Sequence, residues 1–208
     1  MPLPKSKPRG YFEKLLALDC ETTGLTFGGD DPSIGHQAVS WGLIITDFKT
    51  LKPIEELYVE IKWNDISKAA RKKDPAFGKR AEEIHGLTYD YLEKNGVDEE
   101  EAVVQLVSMI MKYWSPESCI PLLGHNVIAF DMWFLKRMTR AHGISLKHGA
   151  RHYDTNTLAG MCWQEFNSDD LFNACGLETR GSHNALEDAK HSLESARITR
   201  MIFQEGLK

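Results

Sequence analysis

No stretch of this sequence carries the roughly 18 consecutive apolar residues that a bilayer-spanning helix needs, so no membrane segment is expected. Cysteine is scarce: Cys20, Cys119, Cys162 and Cys175 form no Cys-x-x-Cys pair, which argues against zinc. The pattern predicts reduced, mostly buried thiols and a cytoplasmic protein. There is no excess of positive charge either. The formal net charge is -5, so any contact with nucleic acid must be local. Internal repeats and low-complexity tracts are missing. Residues 1–10 lack an apolar core and include Pro2, Pro4 and Pro8, which predicts a loose arm and not a secretory leader. The remainder, 11–208, shows no break in composition and is long enough for one sizeable core, so a single domain is expected.

What is present begins with Leu15 to Gly24. Four apolar residues lead into Asp19 and Glu21, and a glycine follows shortly. Periodicity alone leaves strand and helix open, but a short apolar run before a turn suits a buried strand. On a strand, Asp19 and Glu21 share a face. Two like charges side by side at a buried strand end repel, unless a divalent cation sits between them. A polar strand end facing water is the plain alternative.

Ala38 to Thr46 and Ile54 to Trp63 read as two further strands, joined to the first by short connections as an antiparallel meander. The loop 26–37 between the first two is polar and glycine-rich. Lys68 to Arg80 is basic, and a phosphate-binding surface or a solvated face would each explain it. A helix after Asp98 carries Val103, Leu106, Val107, Ile110 and Trp114 on one stripe. Cys119 to Gly124 predicts a short strand, and 127–142 a helix. A short strand and helix follow near Tyr153 to Leu158, and Ser168 or Asp169 caps a further helix. The last helix is expected from Ser182 to about Gln204. Three strands, then helices alternating with two more, predict an α/β protein with a mixed five-stranded sheet.

Two more carboxylates stand in unusual places. On a helix, Asp131 would have Val127, Ile128, Phe134 and Leu135 as neighbours, which is costly unless the carboxylate is paired or metal-linked. A position in the first turn, favoured by the helix dipole, is the alternative. His183 and Asp188 are five residues apart and diverge on a regular helix. They converge only if His183 lies just before the helix and Asp188 one turn inside.

In order along the chain, Asp19 to Gly24 (D-x-E-T-T-G), His125 to Asp131 (H-N-x-x-x-F-D) and His183 to Asp188 (H-x-A-x-x-D) together resemble the DEDDh 3′→5′ exonucleases. That family of the ribonuclease H-like superfamily includes the proofreading epsilon subunit of bacterial DNA polymerase III. Ile84 to Thr88 and Asp154 to Ala159 match its I-H-G-I-T and D-T-x-x-L-A steps. The likeness covers nearly all the chain from Lys14 onward. The longer loop 26–37 and the basic stretch depart from it.

The resemblance implies a ribonuclease H-like sheet, three strands antiparallel and two parallel, flanked by helices. It implies two divalent ions, Mg2+ or Mn2+, held by Asp19, Glu21, Asp131 and Asp188, with His183 as general base. Thr22, Leu25, His85 and Asn126 match positions near the terminal nucleotide; for His85 a core or surface role is an equal alternative. The partner implied is single-stranded or 3′-ended nucleic acid. Thr22-Thr23 favours DNA, and an exoribonuclease like ribonuclease T or oligoribonuclease is the rival. A binding module without catalysis would have lost a metal ligand, and all five acting residues are present. Ser168 to Phe172 faintly echoes a clamp-binding peptide, so polymerase or clamp association is a further expectation, with a core helix as the alternative.

Overall fold

The computed structural model describes residues 13–26, 35–165, 167–178 and 183–206. The proposed arm 1–10, most of the loop 26–37 and Ser182 lie outside them. Strands β1 (Lys14–Thr22), β2 (Ala38–Asp47) and β3 (Pro53–Glu60) form the antiparallel meander. β4 (Leu122–Gly124) pairs parallel to β1, and β5 (Tyr153–Asp154) parallel to β4. The sheet order is β3-β2-β1-β4-β5. The expected mixed sheet is present.

β1 is the central strand, and its alternation builds both layers. Leu16, Leu18 and Cys20 face a core completed by α4 (Glu99–Met111) and α5 (Asp131–Ala141), through Val103, Leu106, Ile110, Phe134 and Leu135. Leu15 and Ala17 face the other way, onto Ala189, Leu193 and Ala196 of α8 (Ala185–Gly206). Leu15, Leu16 and Leu18 are each 0% exposed, and full burial of such a side chain stabilises by about 1.5–3 kcal/mol. Two residues further, the same alternation turns Asp19 and Glu21 toward α8. The period of a buried strand therefore decides which helix meets the carboxylates.

Several predicted boundaries move. β3 stops at Glu60, because beyond it the chain turns to bond across to Val97 and bury Trp63 beside Val39 and Leu92. Of 119–124 only Leu122–Gly124 is strand, with Ile120 in a lone bridge to His148. The helix expected from Val127 begins at Asp131. Asn126 takes a left-handed φ of 58°, its carbonyl accepts the N–H groups of Ala129 and Phe130, and Phe130 is not helical (φ -128°, ψ -80°). The basic stretch splits into α1 (Asp65–Lys73) and α2 (Lys79–His85), followed by α3 (Tyr89–Asn95). A short α6 (Thr155–Leu158) runs into a wide turn. α7 (Ser168–Ala174) is capped by Asn167, one residue before the predicted caps. Leu171 and Phe172 are buried in it, so they are core residues and not exposed anchors for a clamp. Of the four thiols only Cys20 is buried; Cys119 and Cys162 are exposed, against expectation. Among the described residues no helix is long and apolar enough to cross a membrane.

His148 ties stability to pH. Both its ring nitrogens are buried without a hydrogen-bond partner among the described residues. Burial first, then Lys136, His152 and Arg140, holds its pKa down at about 4. A histidine in the unfolded chain protonates near 6.5, so falling pH loads the unfolded state first. The contribution is complete above about pH 6.5 and is lost on the way down to about pH 4, by up to about 3 kcal/mol. The urea midpoint is expected to fall across that window, and more shallowly in His148→Gln. Parallel profiles for the two proteins would contradict this.

Candidate active site

The carboxyl ends of the parallel strands β1 and β4 open a crevice where the sheet's ligands are generally expected. The pairing of β4 with β1 ends at Ala17 and Leu123, so the Cys20 N–H on that side has no strand to pair with. The Asp131 carboxylate takes it: Oδ1 accepts from Cys20 N at 2.9 Å. Asp131 stands in the first turn of α5, 1% exposed, against the strand residue that separates Asp19 from Glu21. Burial pushes its carboxyl well above the usual carboxylate range, although the neighbouring Cys20 groups hydrogen bond to it. Burial and the same carboxylate push the Cys20 thiol up in turn.

On the opposite face, Asn184 caps α8 by accepting from the N–H groups of Leu186 and Glu187 at 3.1 and 3.2 Å. His183 therefore precedes the helix while Asp188 lies inside it. The two converge, with Nδ1 of His183 at 3.5 Å from Oδ2 of Asp188. Glu21 joins them. One ligand atom from each of Glu21, His183 and Asp188 lies within 4.8 Å of the others. Asp19 shares the Glu21 face of β1 and is half-buried.

This approach depends on a glycine. Gly42 of β2 pairs with Asp19, and α8 begins directly above it. A Cβ at position 42 would lie 2.3 Å from the carbonyl carbon and oxygen of Ala185 and from Cα of Leu186. Sequence reasoning passed over Gly42, since a glycine inside a strand pattern signals close backbone approach without saying to what.

The substrate candidates divide. Leu25 is 82% exposed at the rim of a cleft of about 610 Å³ that Glu21, Thr22 and His85 also line. Thr22 uses its hydroxyl on Gly24, donating to the carbonyl at 2.7 Å. His85 is 6% exposed. Its Nδ1 accepts from Leu87 N at 3.0 Å, so in the neutral ring Nε2 carries the proton and donates to the Thr22 carbonyl at 3.3 Å. Burial lowers its pKa, and the ring is a neutral strut between α2 and the end of β1. Asn126 is exposed in the turn before α5 and is not on that cleft wall. Asp154 secures that turn: its carboxylate accepts from the N–H of Asn126 at 3.0 Å and of Ile128 at 3.4 Å. The D-T step thus acts as a brace, with Thr155 donating to the Gly124 carbonyl at 3.2 Å. His36, inside the loop that departs from the resemblance, also lines the cleft. A side chain at Gly24 would strike its ring.

The profile of the RNase T family, described as exonuclease, matches residues 16–195. The chain belongs to this exonuclease family. Its type is DEDDh 3′→5′, on the ribonuclease H-like fold. Among solved structures, the domain is similar to E. coli exonuclease I in complex with a dT13 oligonucleotide. The TM-score is 0.71 at 19% identity, over 93% of this chain and 43% of that one. The zinc-bound form of the E. coli exonuclease I–ssDNA complex gives 0.69 at 20%, over 91% and 41%. The product-bound exonuclease I gives 0.68 at 18%, over 91% and 43%. At these identities the likeness is one of fold, and the chain spans less than half the length of those enzymes. Comparison with curated proteins finds no match.

Glu21 and Asp188, buried carboxylates from β1 and α8, with the His183 imidazole within 4.8 Å, form a mostly hard-oxygen donor set, and neither Asp19 nor Asp131 is in this group. Such a set suits a hard divalent ion such as magnesium or manganese.

Proposed function

We propose that this exonuclease domain releases nucleoside 5′-monophosphates from the 3′ end of single-stranded nucleic acid, with DNA as the favoured substrate. The observation that carries the reading is the meeting of Glu21, His183 and Asp188, from two distant parts of the chain, within 4.8 Å. Asp19, Glu21 and Asp188 would hold one divalent ion, and Asp19 with Asp131 a second. Such ions, when bound, activate water and neutralise charge on the attacking and leaving oxygens.

The chain's own groups do the rest. Asp131, anchored on the Cys20 N–H, holds its carboxylate at the end of β1. His183, with 38% of its side chain exposed, takes a proton from the attacking water. The Asp188 carboxylate beside Nδ1 favours the Nδ1–H tautomer and leaves Nε2 as the basic nitrogen. Leu25 gives an apolar contact at the cleft mouth for a terminal base.

Digestion of matched single-stranded DNA, duplex DNA and RNA, each labelled at the 5′ end, tests the reading. The expected result is a ladder shortening from the 3′ side in magnesium, fastest on single-stranded DNA. His183→Ala is expected to slow turnover by about 10²–10⁴-fold with metal binding retained. Wild-type turnover in that variant would remove His183 as the base. Faster digestion of RNA would reassign the substrate.

A further inference from the structure

The basic stretch is not one uniform face. Lys68 is paired with Glu93 at 3.0 Å, and Arg71 with Glu82 at 3.2 Å while it donates to the Phe77 carbonyl at 2.7 Å. Arg71 braces the turn between α1 and α2, and Lys68 ties α1 to α3. Lys72, Lys73, Lys79 and Arg80 are exposed, and the first three have no ion pair among the described residues. Arg80 meets only Glu83, at 3.3 Å and almost fully in water, a pairing of little strength.

The turn that Arg71 braces presents Phe77. Its ring lies parallel to His36 at 4.5 Å and meets the edge of Trp63 at 5.9 Å, which makes a rigid aromatic ledge. The ledge separates two hollows. On one side is the 610 Å³ cleft that begins at Glu21 and Leu25 and includes Arg80. On the other is a groove of about 460 Å³ lined by Ile66, Ala69 and Lys73. Phe77 lines both. Two carboxylates stand in the cleft, Glu21 at its start and Asp74, and Asp65 stands in the groove; Asp74 is exposed and accepts from Ala76 N at 2.9 Å.

We propose that this is the track for the nucleotides upstream of the 3′ end, resting on the exonuclease reading above. The terminal nucleotides fill the cleft with a phosphate at Arg80. The strand then crosses Phe77, where a base stacks, and the next phosphates reach Lys73 and Lys72. Aromatic platforms alternating with cations are how proteins hold single strands without reading sequence. The track continues directly from the carboxylate cluster, and its exposed cations complement a phosphate backbone despite the chain's net charge of -5.

Steady-state kinetics on a trinucleotide and on a single strand of about ten nucleotides test the track, since single-strand sites span about 4–16 nucleotides. In the wild type the longer strand is expected to show a lower KM than the trinucleotide. In Lys72→Glu/Lys73→Glu that advantage is expected to shrink about tenfold, with kcat on the long strand retained. The slope of log KM against log salt should fall by about 1.4, for two phosphate contacts. Phe77→Leu should shrink the advantage with the salt slope unchanged. An undiminished length advantage in the charge variant overturns the track while leaving the exonuclease reading standing. An equal loss on both substrates also overturns it, since it would place Lys72 and Lys73 at the terminal nucleotides. A wild type that cuts neither strand overturns both readings.

Discussion

Glu21→Gln is expected to lower 3′→5′ exonuclease turnover by about a thousandfold or more while leaving the metal-free protein as stable as the wild type, or slightly more so. The side chain keeps its volume and loses only its charge. It stands with Asp188 among buried groups, at 8% and 3% exposure, within reach of one shared ion. Groups that act as a unit give nearly the full loss when one is removed. The repulsion between like charges is relieved by the same change. About 1 kcal/mol of relief would raise the melting temperature by about 2–4 °C in a chain of this size. Magnesium should raise the melting temperature of the wild type, because binding to the folded state stabilises it by mass action. That rise should be lost in the variant. Thermal unfolding with and without magnesium, beside a turnover assay, checks both halves. A variant that turns over at the wild-type rate would remove Glu21 from the site.

Gly42→Ala should also lower turnover, from a residue that touches no substrate. The added carbon would sit 2.3 Å from the backbone of Ala185 and Leu186, and a backbone cannot swing aside as a flexible side chain can. Either β2 or the start of α8 must shift. Overpacking of this kind costs about 1–3 kcal/mol or more. The start of α8 carries His183 and Asp188, so a shift of about 1 Å is expected to cost about a hundredfold in kcat. Circular dichroism melts and kcat on a 5′-labelled strand measure the two effects. Ser195→Ala, further along the same helix, is the control expected to leave kcat near wild type. Undisturbed kcat in Gly42→Ala would mean that α8 does not set the position of the carboxylates.

What was legible in the sequence follows from which features are local. The shared face of Asp19 and Glu21 comes from strand alternation alone, and the structure keeps it. The meeting of His183 with Asp188 required only that the helix begin after His183, and Asn184 supplies that start through its cap. Asp131 was harder. Its surroundings read as mid-helix because Val127 to Leu135 is almost continuously apolar. The left-handed turn at Asn126, braced by Asp154 from 28 residues away, cuts the helix back to Asp131 and makes the carboxylate a first-turn group. Gly42 and Phe77 were not legible. One is defined by a helix far along the chain, the other by cavities that exist only after α1 and α2 fold against His36.

A crystal grown with manganese, with anomalous scattering measured at its absorption edge, tests the central claim most directly. The expected map shows manganese held by carboxylate oxygens of Asp19, Glu21 and Asp188, and a second peak toward Asp131. A metal-replete crystal with no peak among those side chains, or with manganese bound elsewhere alone, would contradict it.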